Sequence, residues 1–182
     1  LITFQFLPFL RSRLFSLVNH QLNRMIRIAI VDDKANNRKI IGDKLSRNSF
    51  FSIQSISING EDFLQKMKLI EKEELPHIVL MDLEMPEVDG VTAIATASSL
   101  YPSIKFVVLT IFDDDDKIFN AIRAGACGYL LKEESGESIS EMLMNLWESG
   151  AGPISPSIAY KILQMVQNPV PVKEGKKEVE NM

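Results

Sequence analysis

The sequence predicts an α/β domain built on a five-stranded parallel sheet with helices on both faces. From residue 25 onward, short apolar runs alternate with longer segments of helical period, which is typical of repeated βαβ units. Two of these runs, 78–81 and 106–109, are apolar without interruption, as expected of inner strands that helices cover on both sides. The length of 182 residues, of which 46% are hydrophobic, fits one globular domain with short additions.

Five strand candidates account for the short apolar runs. The second is predicted to be an edge strand, because Ser55 and Ser57 interrupt its apolar character. In chain order the predicted strands are 26–31, 51–58, 77–82, 104–110 and 128–131.

Segments of helical period lie between and after these strands. The predicted helices are 34–47, 61–72, 91–100, 114–124 and 136–149. The last has the clearest pattern, because its apolar residues recur at i, i+3, i+4 and i+7 and form one stripe. A sixth helix is predicted to begin at Ser155, whose hydroxyl can cap it, with Pro156 in its first turn.

The two ends of the chain are predicted to lie outside the main domain. The first 24 residues are apolar and basic, but a proline and two arginines interrupt the apolar run short of the ~20 residues that a membrane-spanning helix needs. Leucines at helical spacing within them also allow a short amphipathic helix that docks on a surface. We divide the chain into an N-terminal extension (1–24), a main domain (25–150) and a helix with a solvated linker (151–182).

Charge and cysteine content exclude some classes of protein. Lys and Arg total 20 against 24 Asp and Glu, so the net charge of -4 offers no broad footprint for nucleic acid or an anionic membrane. The single cysteine, Cys127, cannot form an internal disulfide. We therefore expect a cytoplasmic protein that does not itself bind DNA or a membrane.

Polar residues stand where the predicted strands end. Asp32 and Asp33 follow the first strand, Asp82 the third, Thr110 the fourth and Lys132 the fifth. In an open parallel sheet, ligands bind in the crevice beyond the carboxyl ends of the strands. These five side chains are therefore expected to meet at one site.

This set of side chains suits phosphoryl transfer. Three carboxylates held together repel one another unless a cation lies among them, and an all-oxygen site suits Mg²⁺. Lys132 and Thr110 supply a positive charge and a hydroxyl donor for a phosphoryl group. A carboxylate can serve as the covalent acceptor, and Asp82, on a central strand, is the best placed.

Four segments resemble the receiver domain family of bacterial response regulators. They are IAIVDDK (28–34), IVLMDLEMPEVDG (78–90), FVVLT (106–110) and GACGYLLK (125–132), in the family's order. The resemblance covers about residues 25–150. It implies a flavodoxin-like doubly wound sheet with strand order 2-1-3-4-5, which the alternation of elements alone does not specify.

The resemblance also assigns the acidic residues. Asp82 resembles the family's phosphorylated aspartate, and Asp32 and Asp33 resemble the acidic pair that binds Mg²⁺. Glu84, two residues after the acceptor, would give the metal its backbone carbonyl. Such a domain is a phosphoacceptor rather than an enzyme with a separate substrate, and its partner is a sensor histidine kinase.

Three further residues carry the family's response to phosphorylation. Thr110 and Lys132 resemble the hydroxyl residue and the lysine that bind the phosphoryl group, and Tyr129 stands at the aromatic switch position beside Thr110. The surface that this switch would change consists of the fourth helix, the fifth strand and the fifth helix. That surface is a possible homodimer contact.

The segment after Gly150 resembles the connection to an effector domain in the nitrate-regulator-like subfamily, whose members carry a C-terminal helix-turn-helix. Fifteen residues after Gln167 have no room for such a domain. We therefore expect DNA to be reached only through an effector domain absent from this chain, with transcription as the controlled output.

Two other functions compete with a phosphorylated receiver. A phosphatase of the haloacid dehalogenase kind also uses an aspartyl nucleophile with Mg²⁺, and Asp82-Leu83-Glu84 imitates its D-x-D motif. That family places its nucleophile after the first strand, however, and this chain has little room for a substrate-selecting cap. The other alternative is a receiver that serves as a docking scaffold and is never phosphorylated.

Overall fold

The structure is a computed structural model that describes residues 25–111 and 114–167. Strands and helices alternate along the chain until the last two helices. The strands are β1 (Ile26–Val31), β2 (Phe51–Ser57), β3 (Ile78–Met81), β4 (Lys105–Thr110) and β5 (Gly128–Leu131). The helices are α1 (Ala35–Ser46), α2 (Gly60–Leu69), α3 (Gly90–Leu100), α4 (Asp115–Ala124), α5 (Gly136–Ser149) and α6 (Pro156–Gln167).

The five strands form one parallel sheet in the order β2-β1-β3-β4-β5, which confirms the predicted order. β2 lies at one edge, as the interruptions in its apolar run indicated, and β3 and β4 are inner strands. All four residues of β3 are buried. Because the strands are parallel, their carboxyl ends lie along the same edge of the sheet.

Helices pack on both faces of the sheet, as predicted. One core contains buried side chains of α1 and α5, among them Leu45, Leu143 and Leu146. The other contains side chains of α2, α3, α4 and α6, among them Phe63 and Ile158. Residues of β3 alternate between the two cores, because successive side chains of a strand point to opposite faces.

The predicted helix bounds differ from the structure mainly in α2, which ends at Leu69 rather than at 72. Ile70 is extended there, and a separate 3-10 turn, Lys72–Glu74, leads into β3. The N-terminus of α2 lies where Asn59 caps it, its side chain accepting a hydrogen bond from the Asp62 backbone N–H at 2.8 Å. The other bounds agree to within one or two residues.

The segment after α5 pairs with the edge of β5 that faces away from β4. The Tyr129 N–H donates to the Pro153 carbonyl at 2.8 Å, and the Ser155 N–H donates to the Tyr129 carbonyl at 3.0 Å. Ser155, predicted as the start of the sixth helix, is fully buried and accepts a hydrogen bond from the Leu131 N–H at 3.1 Å. This pairing brings α6 against α4 and buries Ile158 in the core.

Within the described residues, no helix has both the length and the apolar character needed to cross a membrane. The predicted extension of residues 1–24 and the linker from 168 lie outside the described residues.

The single tryptophan, Trp147, lies on the outer part of α5, with its ring centroid 4.6 Å from that of His77. The Nδ1 atom of His77 accepts a hydrogen bond from the Arg27 N–H at 3.1 Å, so this nitrogen must stay unprotonated. Burial, and then the nearby Arg27 charge, lower the pKa of His77.

This environment makes stability depend on pH. Because the folded pKa of His77 lies below the ordinary value of 6.5, the unfolded chain takes up a proton first as the pH falls. The neutral His77 side chain therefore adds to the free energy of unfolding above pH 6.5, and this contribution is lost as the pH falls through the folded pKa. We expect His77→Asn, whose amide oxygen can replace Nδ1, to lack this loss in urea unfolding followed by circular dichroism. A stability difference between parent and variant that stays constant from pH 8 to pH 5.5 would contradict the assignment.

Candidate functional site

The predicted site residues meet at the carboxyl edge of the sheet. Asp32 and Asp33 directly follow β1, and Asp82 follows β3, where the Asp82 N–H extends the ladder to the Val31 carbonyl at 2.9 Å. One carboxylate oxygen from each of the three acids lies within 4.8 Å of the others. The convergence that the strand ends predicted is therefore present for the acidic residues.

Lys132 lies between two of these acids. Its Nζ atom is 2.6 Å from an Asp32 carboxylate oxygen and 2.8 Å from an Asp82 carboxylate oxygen. The exposed fractions of the side chains are 10% for Lys132, 1% for Asp32 and 3% for Asp82. The pairs are thus largely withdrawn from water, where removal of Lys132 would leave two carboxylates uncompensated, whereas removal of one acid would leave Lys132 paired with the other.

The carboxyl group of Asp82 is held at both oxygens. Oδ1 accepts a hydrogen bond from the Leu83 N–H at 2.9 Å, and Oδ2 faces Lys132. Burial raises the pKa of Asp82, and the neighbouring Asp32 charge raises it further, whereas Lys132 and the Thr110 hydroxyl act in the opposite direction. Keeping the Asp82 carboxyl ionised in this crevice therefore costs free energy.

Side chains of α1 hold the acidic pair from outside. The Asn37 amide donates to both carboxylate oxygens of Asp32, at 3.2 and 3.3 Å. The Arg38 guanidinium donates to the backbone carbonyls of Asp32 and Asp33, at 2.8 and 2.9 Å. Sequence reasoning missed Asn37 and Arg38, although their place in the first turn of a helix directly after the acidic pair is a usable signal.

Asp33 differs from its neighbours because it has an unsatisfied oxygen. Its Oδ1 atom is buried and has no hydrogen-bond partner among the described residues. A buried carboxylate oxygen without a donor is costly, so such an atom needs a water or a cation. With Asp32 and Asp82 close by, the donor set fits a hard cation with oxygen ligands.

Glu84 stands at the mouth of the site. Its exposed carboxylate forms an ion pair with Lys117 of α4, so the loop after β3 is tied to that helix. A cleft beside the acidic cluster is lined by this pair and by Met85 and Asn120. The assignment of the Glu84 backbone carbonyl as a metal ligand stays a prediction.

Gly90 lets α3 begin directly behind Asp82. A Cβ atom at Gly90 would lie 2.0 Å from the Asp82 carbonyl oxygen, which no side chain could tolerate. The Gly90 N–H also donates to the Leu83 carbonyl at 3.0 Å. Only a glycine at this position allows the start of α3 to pack directly against the backbone of Asp82 and Leu83.

The two residues predicted to form the switch lie on neighbouring strands. Thr110, at the end of β4, is fully buried, and Tyr129 of β5 is 2% exposed. Tyr129 is paired in register with Val108, two residues before Thr110. Tyr129 therefore lies in the core beneath the site. Thr110 faces the site, and its hydroxyl lowers the pKa of the Asp82 carboxyl by hydrogen bonding.

A comparison with protein families matches residues 28–144 to the family described as response regulator receiver domain. The transcriptional regulatory protein DegU of Brevibacillus brevis is 32% identical over 148 residues, which is 81% of this chain and 61% of DegU. The transcriptional regulatory protein LnrK of Bacillus subtilis is 34% identical over 76% of this chain and 61% of LnrK. The chain therefore spans about three fifths of the length of these curated relatives.

Solved structures agree on the fold. The isolated REC domain of RcsB from Salmonella enterica serovar Typhimurium, determined in the presence of the phosphomimetic BeF3-, has a TM-score of 0.67 at 18% identity, covering 75% of this chain and 98% of that one. A LuxR-family two-component response regulator from Aurantimonas sp. SI85-9A1 has a TM-score of 0.70 at 22% identity, covering 79% and 99%. At these identities the similarity establishes the shared fold.

The raised pKa of Asp82 predicts that its charge destabilises the metal-free protein. We expect Asp82→Asn to raise the free energy of unfolding at pH 7.5 in the presence of a chelator, on the order of 1 kcal/mol, because the amide removes one of three clustered negative charges. Urea unfolding followed by circular dichroism measures this change.

Asp89→Asn is a matched control for that substitution. Asp89 caps α3 through a hydrogen bond from the Thr92 N–H at 2.7 Å, and asparagine caps equally well, so we expect little change in stability. A less stable Asp82→Asn protein would mean that the pairing with Lys132 outweighs the repulsion and the burial.

Proposed function

This chain belongs to the receiver domain family of response regulators, and on that basis we propose that Asp82 accepts a phosphoryl group beside a bound Mg²⁺ ion. As a receiver domain it is not a classical enzyme. The observation that carries the proposal is the cluster of three carboxylates in which Lys132 pairs with Asp32 and Asp82, while one Asp33 oxygen has no hydrogen-bond donor among the described residues. Such a cluster suits a cation, and one of its members, Asp82, can serve as the nucleophile.

The transfer step uses the side chains already in the site. A carboxylate oxygen of Asp82 attacks the phosphorus atom, a P–O bond forms, and the bond from phosphorus to the donor's leaving group breaks. The ammonium group of Lys132, 2.8 Å from Asp82, would hold a phosphoryl oxygen and offset its charge. The Thr110 hydroxyl would donate to another phosphoryl oxygen.

We assign the metal site to the side chains of Asp32, Asp33 and Asp82 and to the Glu84 backbone carbonyl. All four are oxygen ligands, which suits Mg²⁺, and the ion would neutralise charge on the phosphoryl oxygens. Asp33 is the least engaged of the three acids. We therefore expect Asp33 to bind the metal directly, whereas Asp32 also holds Lys132.

Family membership implies a histidine kinase as the phosphodonor, and we propose that a phosphohistidine of such a kinase supplies the phosphoryl group in a cytoplasmic pathway. The nearly buried Asp82 would be reached from the open edge of the sheet. The relatives DegU and LnrK are named transcriptional regulatory proteins, so we propose transcription as the output. DNA contact would belong to an effector domain. We propose that residues 25–150 form the receiver, with 1–24 as an extension and 151–182 as the helix and linker.

We propose that Thr110 and Tyr129 report the state of Asp82. Thr110 would move toward a phosphoryl oxygen, and Tyr129 would move into the space that it leaves. The backbone of Tyr129 is hydrogen-bonded to residues 153 and 155, so such a movement would also reach α6. Typical couplings are ~1–3 kcal/mol, so the inactive and active forms should both be populated without phosphate. We propose that the changed surface of α4, β5 and α5 is a homodimer contact.

A small phosphodonor tests the acceptor. We expect acetyl phosphate to add one phosphoryl group to the purified chain in the presence of Mg²⁺, because the metal and Lys132 offset the charge of the incoming group. Intact-mass spectrometry gives the rate, and peptide mapping places the label on Asp82. Removal of Mg²⁺ with a chelator should abolish the label.

Asp82→Asn should remove the label, whereas Asp89→Asn, the same chemical change on an exposed helix cap, should retain it. Asp33→Ala should raise the Mg²⁺ concentration needed for half-maximal labelling by about tenfold or more, since it removes a direct ligand from a site with few. Undiminished labelling of Asp82→Asn would exclude Asp82 as the acceptor. An unlabelled parent would favour the docking scaffold.

The switch is tested by amide hydrogen exchange across residues 114–135 with and without beryllofluoride. We expect protection to change in the parent and to change much less in Thr110→Ala, which should still accept phosphate on Asp82. The reason is that alanine cannot donate a hydrogen bond to the phosphoryl oxygen. Equal changes in the two proteins would remove Thr110 from the switch.

A further inference from the structure

Lys44 of α1 makes two hydrogen bonds to a distant part of the chain. Its Nζ atom donates to the Lys132 carbonyl at 3.0 Å and to the Glu134 carbonyl at 2.6 Å, 88 and 90 residues further along. These carbonyls belong to the loop between β5 and α5, residues 132–135. An ammonium group on α1 therefore binds the backbone that carries Lys132.

The rest of this loop is held close to its two ends. At the start, the Lys132 N–H donates to the Thr110 carbonyl at 2.9 Å and so prolongs the ladder of β4 and β5. At the end, the Ser135 hydroxyl caps α5 by accepting from the Ser138 N–H at 3.0 Å. Lys44 contacts the stretch between these two points, where the chain leaves the sheet.

The stem of Lys44 is guided to this place by α5. A Cβ atom at Gly136 would lie 3.3 Å from both Cβ and Cγ of Lys44, which is tighter than ordinary van der Waals contact. Glycine at the first position of α5 therefore leaves room for the methylene chain of Lys44. The side chain is partly buried, which strengthens its charge-assisted hydrogen bonds relative to those of an exposed lysine.

We propose that Lys44 is a positioning residue for Lys132 in phosphoryl transfer. Lys132 has a flexible four-carbon stem, so the place of its ammonium group depends on the backbone from which it starts. By holding the carbonyls of Lys132 and Glu134 together, Lys44 fixes that backbone and keeps Nζ of Lys132 between Asp32 and Asp82. This inference rests on the proposed function, because it matters for activity only if Lys132 holds the phosphoryl group.

Lys44→Met removes the ammonium group and keeps most of the apolar stem. We expect it to slow the labelling of Asp82 by acetyl phosphate about tenfold, because a misplacement of even ~1 Å near the reacting atoms lowers rates steeply. Lys39→Met is the matched control: Lys39 is an exposed lysine on the same helix, and its substitution changes the net charge equally. We expect Lys39→Met to be labelled at the rate of the parent.

A double-mutant cycle separates positioning from a general structural effect. In a Lys132→Ala background Lys44→Met should cause no further slowing, because the group that it positions is gone. Lys44→Arg keeps a cationic donor and should recover most of the rate, and Lys44→Gln, with a neutral donor, should fall between Arg and Met. This series applies even if the methionine variant folds poorly, which circular dichroism would reveal.

The outcomes distinguish the two levels of the proposal. An unlabelled parent would overturn the proposed function itself. A labelled parent with equal rates for Lys44→Met would overturn only the role of Lys44. Equal slowing by Lys44→Met with and without Lys132, or equal slowing by Lys39→Met, would show a general effect of structure or charge and would likewise overturn the positioning role.

Discussion

The site depends on one ammonium group. Lys132 lies 2.6 Å from Asp32 and 2.8 Å from Asp82 in a crevice where both carboxylates are almost completely buried. In such surroundings a lone carboxylate would lose its charge or force the loop open. The two ion pairs allow Asp32 and Asp82 to lie close together, but Lys132 pairs with only two of the three clustered carboxylates.

The excess of negative charge determines which ligands this cluster favours. A third acid, Asp33, contributes a buried oxygen that no described group satisfies, and burial raises the pKa of Asp82. These features favour a cation at the acidic cluster, and the proposed phosphoryl group would then be shared by that cation and Lys132. Stability is given up where charge is needed for binding, which is a common feature of functional sites.

The sheet explains how much of the site could be predicted from the sequence. Uninterrupted apolar runs predicted the inner strands, and parallel strands bring their carboxyl ends to one edge, so Asp32, Asp82 and Lys132 were expected to meet. The strand order came from the family resemblance, because alternation of elements is compatible with several orders. The contacts of Asn37 and Lys44 were not predicted, since side-chain to main-chain hydrogen bonds between separate elements depend on helix rotation and rotamers that leave no periodic pattern.

A crystal structure of the chain with Mg²⁺ and beryllofluoride tests the central claim most directly. The account predicts beryllium bonded to a carboxylate oxygen of Asp82, Mg²⁺ bound to Asp33, and Lys132 in contact with a fluorine atom in place of its present bond to Asp82. Beryllofluoride bound elsewhere, or a metal ion that does not contact Asp33, would contradict it. In either case the acidic cluster would have to be explained as a structural feature of the loop rather than as the phosphoryl site.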